Sequence, residues 1–213
     1  ESVTSHVDMI MASIKSAFDM EAAIPQIIEK AIYECYKEYG WDVSDDTNKY
    51  YSWIDIQNGA FAFPTVSDLI NKAEDVVKSQ GFDVRLQKDY IGSIKARLQG
   101  LTVGSKGLML NTQRSLDFRD LVHRKVILEL EEVRSGDEKA LIMGFILSNL
   151  MEAIRAEYNK ASQENKEFKH ITLVEEAHRL LGKYEMGDSK TKKQGVEMFS
   201  DMLAEVRKYG ECL

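Results

Sequence analysis

The chain has 213 residues, 44% of them hydrophobic and 30% charged, which is the balance of a globular protein with enough apolar mass for one large core or two small ones. Its formal net charge of -7, with an isoelectric point near 5.3, excludes a surface that coats nucleic acid by bulk positive charge. The longest apolar stretch, residues 140–151, is too short to span a bilayer and is interrupted by Ser148 and Asn149, so no membrane segment is expected.

Two cysteines, Cys35 and Cys212, match no metal or disulfide spacing and read as free thiols in a reducing, cytoplasmic compartment. The chain starts at Glu1 without a basic-then-apolar leader, and it reads as an internal piece of a longer protein. It has two prolines, no low-complexity run and no internal repeat.

In chain order, residues 4–18 and 22–39 carry apolar side chains at helical spacing. In the second segment Ile24, Ile27, Ile28, Ala31, Ile32, Cys35 and Tyr39 form one stripe that Gly40 ends. Residues 41–64, rich in Asp, Asn and aromatic side chains, read as a loop packed by its own rings. Thr65 and Asp68 have the spacing of a capping box, and Val66, Leu69, Ile70, Ala73, Val76 and Val77 continue a helix to Gly81. A fourth helix is expected over about 83–99.

The pattern then changes. "KGLML" (106–110) and "KVILEL" (125–130) are short β-prone runs, and Ser135 with Glu138 opens a long apolar helix. "HITLV" (170–174) follows, making a strand-helix-strand unit of the kind that builds parallel sheets. Residues 182–195 are polar and glycine-bearing. A last helix over about 195–209 turns Val196, Phe199, Met202, Leu203 and Val206 inward and stops at Gly210, after which "ECL" begins another strand.

The chemistry-bearing stretch is "ITLVEEAH" (171–178), and its residues admit two readings. Leu173, Val174, Ala177, Leu180, Leu181 and Tyr184 fall on one helical face, which would leave Glu175, Glu176 and Arg179 as solvated surface. Alternatively the strand ends at the two carboxylates. At such a strand end one acid holds magnesium through water while the other orients and deprotonates the attacking water in ATP hydrolysis.

Three segments together resemble the HerA/FtsK group of P-loop ATPases, in particular HerA-like ATP-binding proteins and their relatives among conjugation ATPases. They are "KVILELEEVRSGDEKALIMGFILSNLMEAI", "KHITLVEEAHRLL" and "MFSDMLAEVRKYGECL". The resemblance covers roughly residues 83–213. It implies an α/β fold, a partial P-loop (RecA-like) parallel-sheet core over 119–213, decorated by a mainly helical insertion region over 1–118.

It further implies Glu175 as the magnesium-associated acid, acting through water, and Glu176 as the catalytic base. Arg207 is implied as a finger reaching a neighbouring subunit's ATP, although a cation ending a helix has its own electrostatic reason to be there. His178 is a candidate sensor or a structural histidine. ATP and magnesium are the implied cofactors. A homo-oligomer, a hexamer by resemblance, that moves DNA with a nuclease or other effector is the implied assembly.

The sequence departs from the family in one respect. No G-x-x-x-x-G-K-[ST] occurs, and "VGSKG" (103–107) has neither its spacing nor its setting. In the family the phosphate loop would precede residue 1, so the chain by itself is expected to be inactive. The rival expectation is a non-catalytic helical interaction domain. A nuclease using Glu175 and Glu176 is the weaker third reading, because no further ligand cluster accompanies them.

Overall fold

A computed structural model describes residues 2–21, 23–181 and 190–213. The chain forms two compact units. One comprises residues 2–7 and 21–115, here called the N-terminal unit; the other comprises 8–20 and 116–213, the C-terminal unit. Helix α1 (Val3–Ala17) therefore gives its first residues to one unit and the rest to the other.

In the N-terminal unit, α2 (Ala23–Glu38) buries Ile24, Ile27, Ile28, Ala31, Ile32 and Cys35, the stripe visible in the sequence. Pro25 sits in its first turn, where no intrahelical bond needs the missing N–H. Gly40 follows at φ 88°, a left-handed conformation that a Cβ would strain. The aromatic stretch holds a small antiparallel hairpin, β1 (Trp41–Asp42) with β2 (Thr47–Asn48), and a short helix α3 (Trp53–Gln57) that opens on a Ser52/Asp55 capping box. Trp41 organises it: its indole Nε1–H donates to the Ala62 carbonyl at 2.6 Å, and its ring stacks on Phe63 with centroids 5.3 Å apart.

Helix α4 (Val66–Ser79) opens on the expected Thr65/Asp68 capping box, both reciprocal bonds being present. It packs Ile70, Ala73, Val76 and Val77 inward, and α5 (Val84–Leu98), capped by Asp83, adds Ile94 and Leu98. A 3-10 turn (Gln99–Thr102) leads into α6 (Gly104–Leu110). Residues 106–110, expected to be β-prone, are thus helical. Gly107 makes this possible, because a Cβ there would lie 2.3 Å from the Thr102 carbonyl oxygen.

In the C-terminal unit, a short α7 (Phe118–Leu121) precedes the long α8 (Gly136–Gln163), whose first turn is capped by Ser135 accepting the Glu138 N–H. Residues 8–17 of α1, α8 and α10 (Lys190–Val206) meet through small side chains. A Cβ on Gly144 would lie 2.8 Å from the Ser13 side chain, and one on Gly195 would lie 2.5 Å from the Ser16 nitrogen. Helix α10 begins five residues earlier than its apolar spacing suggests, at Lys190, and buries Val196, Phe199 and Val206. Of the polar stretch expected at 182–195, residues 182–189 lie outside the described residues.

The expected RecA-like parallel-sheet core is not present among the described residues. Among the described residues the chain is mostly helical, with only two two-stranded sheets: β1–β2, and β3 (His170–Ile171) with β4 (Glu211–Cys212). The run at 125–130 forms neither helix nor strand, and Val126, Ile127 and Leu128 are exposed. The reason is physical: β-prone residues become a strand only against a hydrogen-bonding partner, and among the described residues the backbone of this run has only the local turn bond from the Val133 N–H to the Leu130 carbonyl.

Candidate functional site

The acidic pair follows a short parallel ladder. His170 pairs with Glu211 and Ile171 with Cys212; the His170 N–H donates to the Gly210 carbonyl at 2.9 Å and the Thr172 N–H to the Cys212 carbonyl at 3.0 Å. Gly210 makes the approach feasible, because it stands at φ 80° and a Cβ would lie 2.2 Å from the Phe168 carbonyl oxygen.

Beyond Thr172 the chain leaves the ladder, and residues 175–177 form a turn. Glu176 adopts φ 55°, a left-handed conformation that costs a non-glycine residue on the order of 1 kcal/mol. Both Glu175 and Glu176 are exposed. Helix α9 (His178–Leu181) starts only after the turn, with His178 exposed at its first position. The amphipathic-helix reading of 173–177 is therefore corrected: Leu173 lies outside any helix and is 87% exposed. Tyr184, the last residue of that face, lies outside the described residues.

Arg207 stands elsewhere. It opens a 3-10 turn (Arg207–Tyr209) between α10 and β4 and is exposed. Because β3 and β4 are parallel, the acids follow the carboxyl end of one strand while Arg207 precedes the amino end of the other. The structure thus brings Glu175 and Glu176 together and holds Arg207 at the opposite end of the ladder. The turn is fixed by Tyr209, whose ring packs on Tyr158 at 5.6 Å and lies under the Arg155 guanidinium at 5.1 Å.

One feature of the ladder was not legible in the sequence. The His170 ring nitrogen Nδ1 hydrogen-bonds Glu211 Oε2 at 2.7 Å, with the Glu211 side chain only 1% exposed. Glu211 Oε1 is buried and has no hydrogen-bond partner among the described residues. The two residues are 41 positions apart and only the strand register joins them, so no local signal announces the pair.

No group of three or more His, Cys, Asp or Glu side chains gathers at metal-holding distance among the described residues. Magnesium keeps most of its waters and takes one or two carboxylates beside phosphate oxygens. A shallow concavity of about 530 Å³ on α2, lined in part by Glu29, Lys30, Tyr33 and Lys37, contains none of the predicted site residues.

Both cysteines are free thiols, and burial first, then the Asp68 and Glu38 carboxylates, pushes the Cys35 thiol up to about 12. That makes it a core residue without thiolate chemistry. No helix among the described residues is long and apolar enough to cross a membrane. No protein-family model, curated protein or solved structure matches the chain.

Proposed function

We propose that the chain contributes the acidic strand end of an ATP-hydrolysing motor of the HerA/FtsK group, with magnesium-ATP as substrate. The observation that carries this reading is the place of Glu175 and Glu176: adjacent, exposed, in a turn just past the carboxyl end of a parallel strand, with Glu176 in a left-handed conformation. Backbone strain of the kind seen at Glu176 concentrates at functional sites.

In this reading Glu176 accepts the proton of the attacking water, and Glu175 orients the water shell of the magnesium carried by ATP. Arg207, which precedes the other strand of the ladder, acts in this reading across a subunit boundary in a homo-oligomer, a hexameric ring in the full reading. DNA is the polymer moved, a nuclease or other effector the partner, and the cytoplasm the compartment. With no phosphate-loop motif among these 213 residues, the phosphate-binding part of the site comes from other residues of the assembly.

The test is magnesium-dependent ATP turnover by the full-length protein and its Glu176→Gln variant. Loss of a positioned general base lowers turnover by about a hundredfold or more while ATP binding persists. Equal turnover in the two proteins removes Glu176 from the chemistry.

A second reading, a helical interaction domain, is favoured by a different observation. The N-terminal unit exposes Tyr50, Trp53, Ile54 and Phe61 within one short stretch of chain, and apolar side chains exposed in such number suit a partner. It takes precedence if the full-length protein binds no ATP.

A further inference from the structure

We propose that residues 125–129 form a self-association edge, through which two copies of the chain pair antiparallel about a two-fold axis at Ile127. The proposal goes beyond the nucleotide reading and does not depend on it.

The run Lys125-Val126-Ile127-Leu128-Glu129 lies outside helix and strand, and none of its backbone groups bonds another backbone group among the described residues. Val126, Ile127 and Leu128 are 43%, 86% and 45% exposed, an alternation with the period of a pleated strand. Three consecutive large apolar side chains with unpaired N–H and C=O groups make the kind of edge that recruits another chain.

What identifies the occupant is the order of charges. In an antiparallel pair centred on Ile127, Lys125 falls opposite Glu129 of the second copy and Glu129 opposite its Lys125, while Val126 faces Leu128. Lys125, Ile127 and Glu129 share one face, so both ion pairs flank an apolar contact on the axis. Parallel pairing in register would instead set Lys125 against Lys125 and Glu129 against Glu129. Both residues are exposed, and neither has an ion-pair partner among the described residues. The segment is thus self-complementary in one register, which is the requirement for an isologous two-fold contact.

The contact is short, well below the area of a standard interface, so the dimer is weak and reversible, with a Kd on the order of 100 µM. Sedimentation velocity of the full chain over rising concentration tests it. Lys125→Glu and Glu129→Lys are each expected to weaken association about tenfold, since each turns two attractive cross-strand pairs into two repulsive ones. The double variant K125E/E129K, which exchanges the charges across the axis, is expected to restore wild-type association. All three changes are at exposed positions, so the fold is retained. A chain that stays monomeric at millimolar concentration leaves the edge to a different occupant and overturns the proposal. Single variants that associate like the wild type, or a double variant no better than the singles, overturn it equally.

Discussion

The N-terminal unit and the C-terminal unit differ in where their hydrogen bonds come from. In the first, the stripe of α2 and the Thr65/Asp68 capping box of α4 are local devices: every bond they need lies within four residues, and both occur as the sequence spells them. In the second, two runs of similar β-prone composition have opposite fates. Residues 170–172 find Gly210 and Cys212 as backbone partners and form a ladder, whereas residues 125–129 find none among the described residues and do not. A helix carries its partners with it; a strand must be given one.

The largest effect expected from attacking that difference is at the ladder. His170→Ala would leave the Glu211 carboxylate buried with no hydrogen-bond partner among the described residues, and a loss of about 2 kcal/mol is expected, read as a lower denaturant midpoint. An unchanged midpoint would mean that the strand pairing does not rely on this bond. A local device should matter less: Thr65→Ala removes one side of the α4 capping box and is expected to cost about 1 kcal/mol.

The smallest effect is in acid. Burial works against the Asp68 charge, but the Thr65 hydroxyl and N–H and the Tyr39 hydroxyl hold its carboxyl below the usual range. Hydrogen bonds from Lys78 and then Lys95 hold Glu74 down to about 2. Both groups titrate lower in the folded chain than in the unfolded one. Their contribution is therefore complete above about pH 5 and is lost as the pH falls towards 2. Thermal melts across that window should show a modest decline in Tm that Glu74→Gln flattens.

The same contrast explains what the sequence made legible. Six long helices are readable, with boundaries within a few residues except at α10, because apolar period and caps are local signals. The helix over 104–110 was misread because three consecutive apolar residues after a glycine suit either state, and the close pass of Gly107 over Thr102 decided it. The hairpin at 41–48 and helix α3 were hidden in a stretch whose aromatic density suggested only a loop.

At the candidate site, the position of the acids after "ITLV" suggests a strand that ends at the carboxylates, whereas the strand ends at Ile171 and the acids lie in a turn beginning four residues later. The extent of the sheet was overstated, since composition shows which residues favour a strand and not whether neighbours exist. The His170–Glu211 bond and the left-handed Glu176 are products of register and turn geometry, to which residue spacing is blind.

Amide hydrogen exchange, residue by residue in dilute solution, tests the central claim most directly. The account predicts that the amides of 126–129 exchange at close to the rate of an unstructured chain, while those of His170 and Thr172 are slowed by about a hundredfold or more. Equal protection of the two runs would contradict it: residues 126–129 would then be a paired strand, and the helical account of the C-terminal unit would have to give way to a larger sheet.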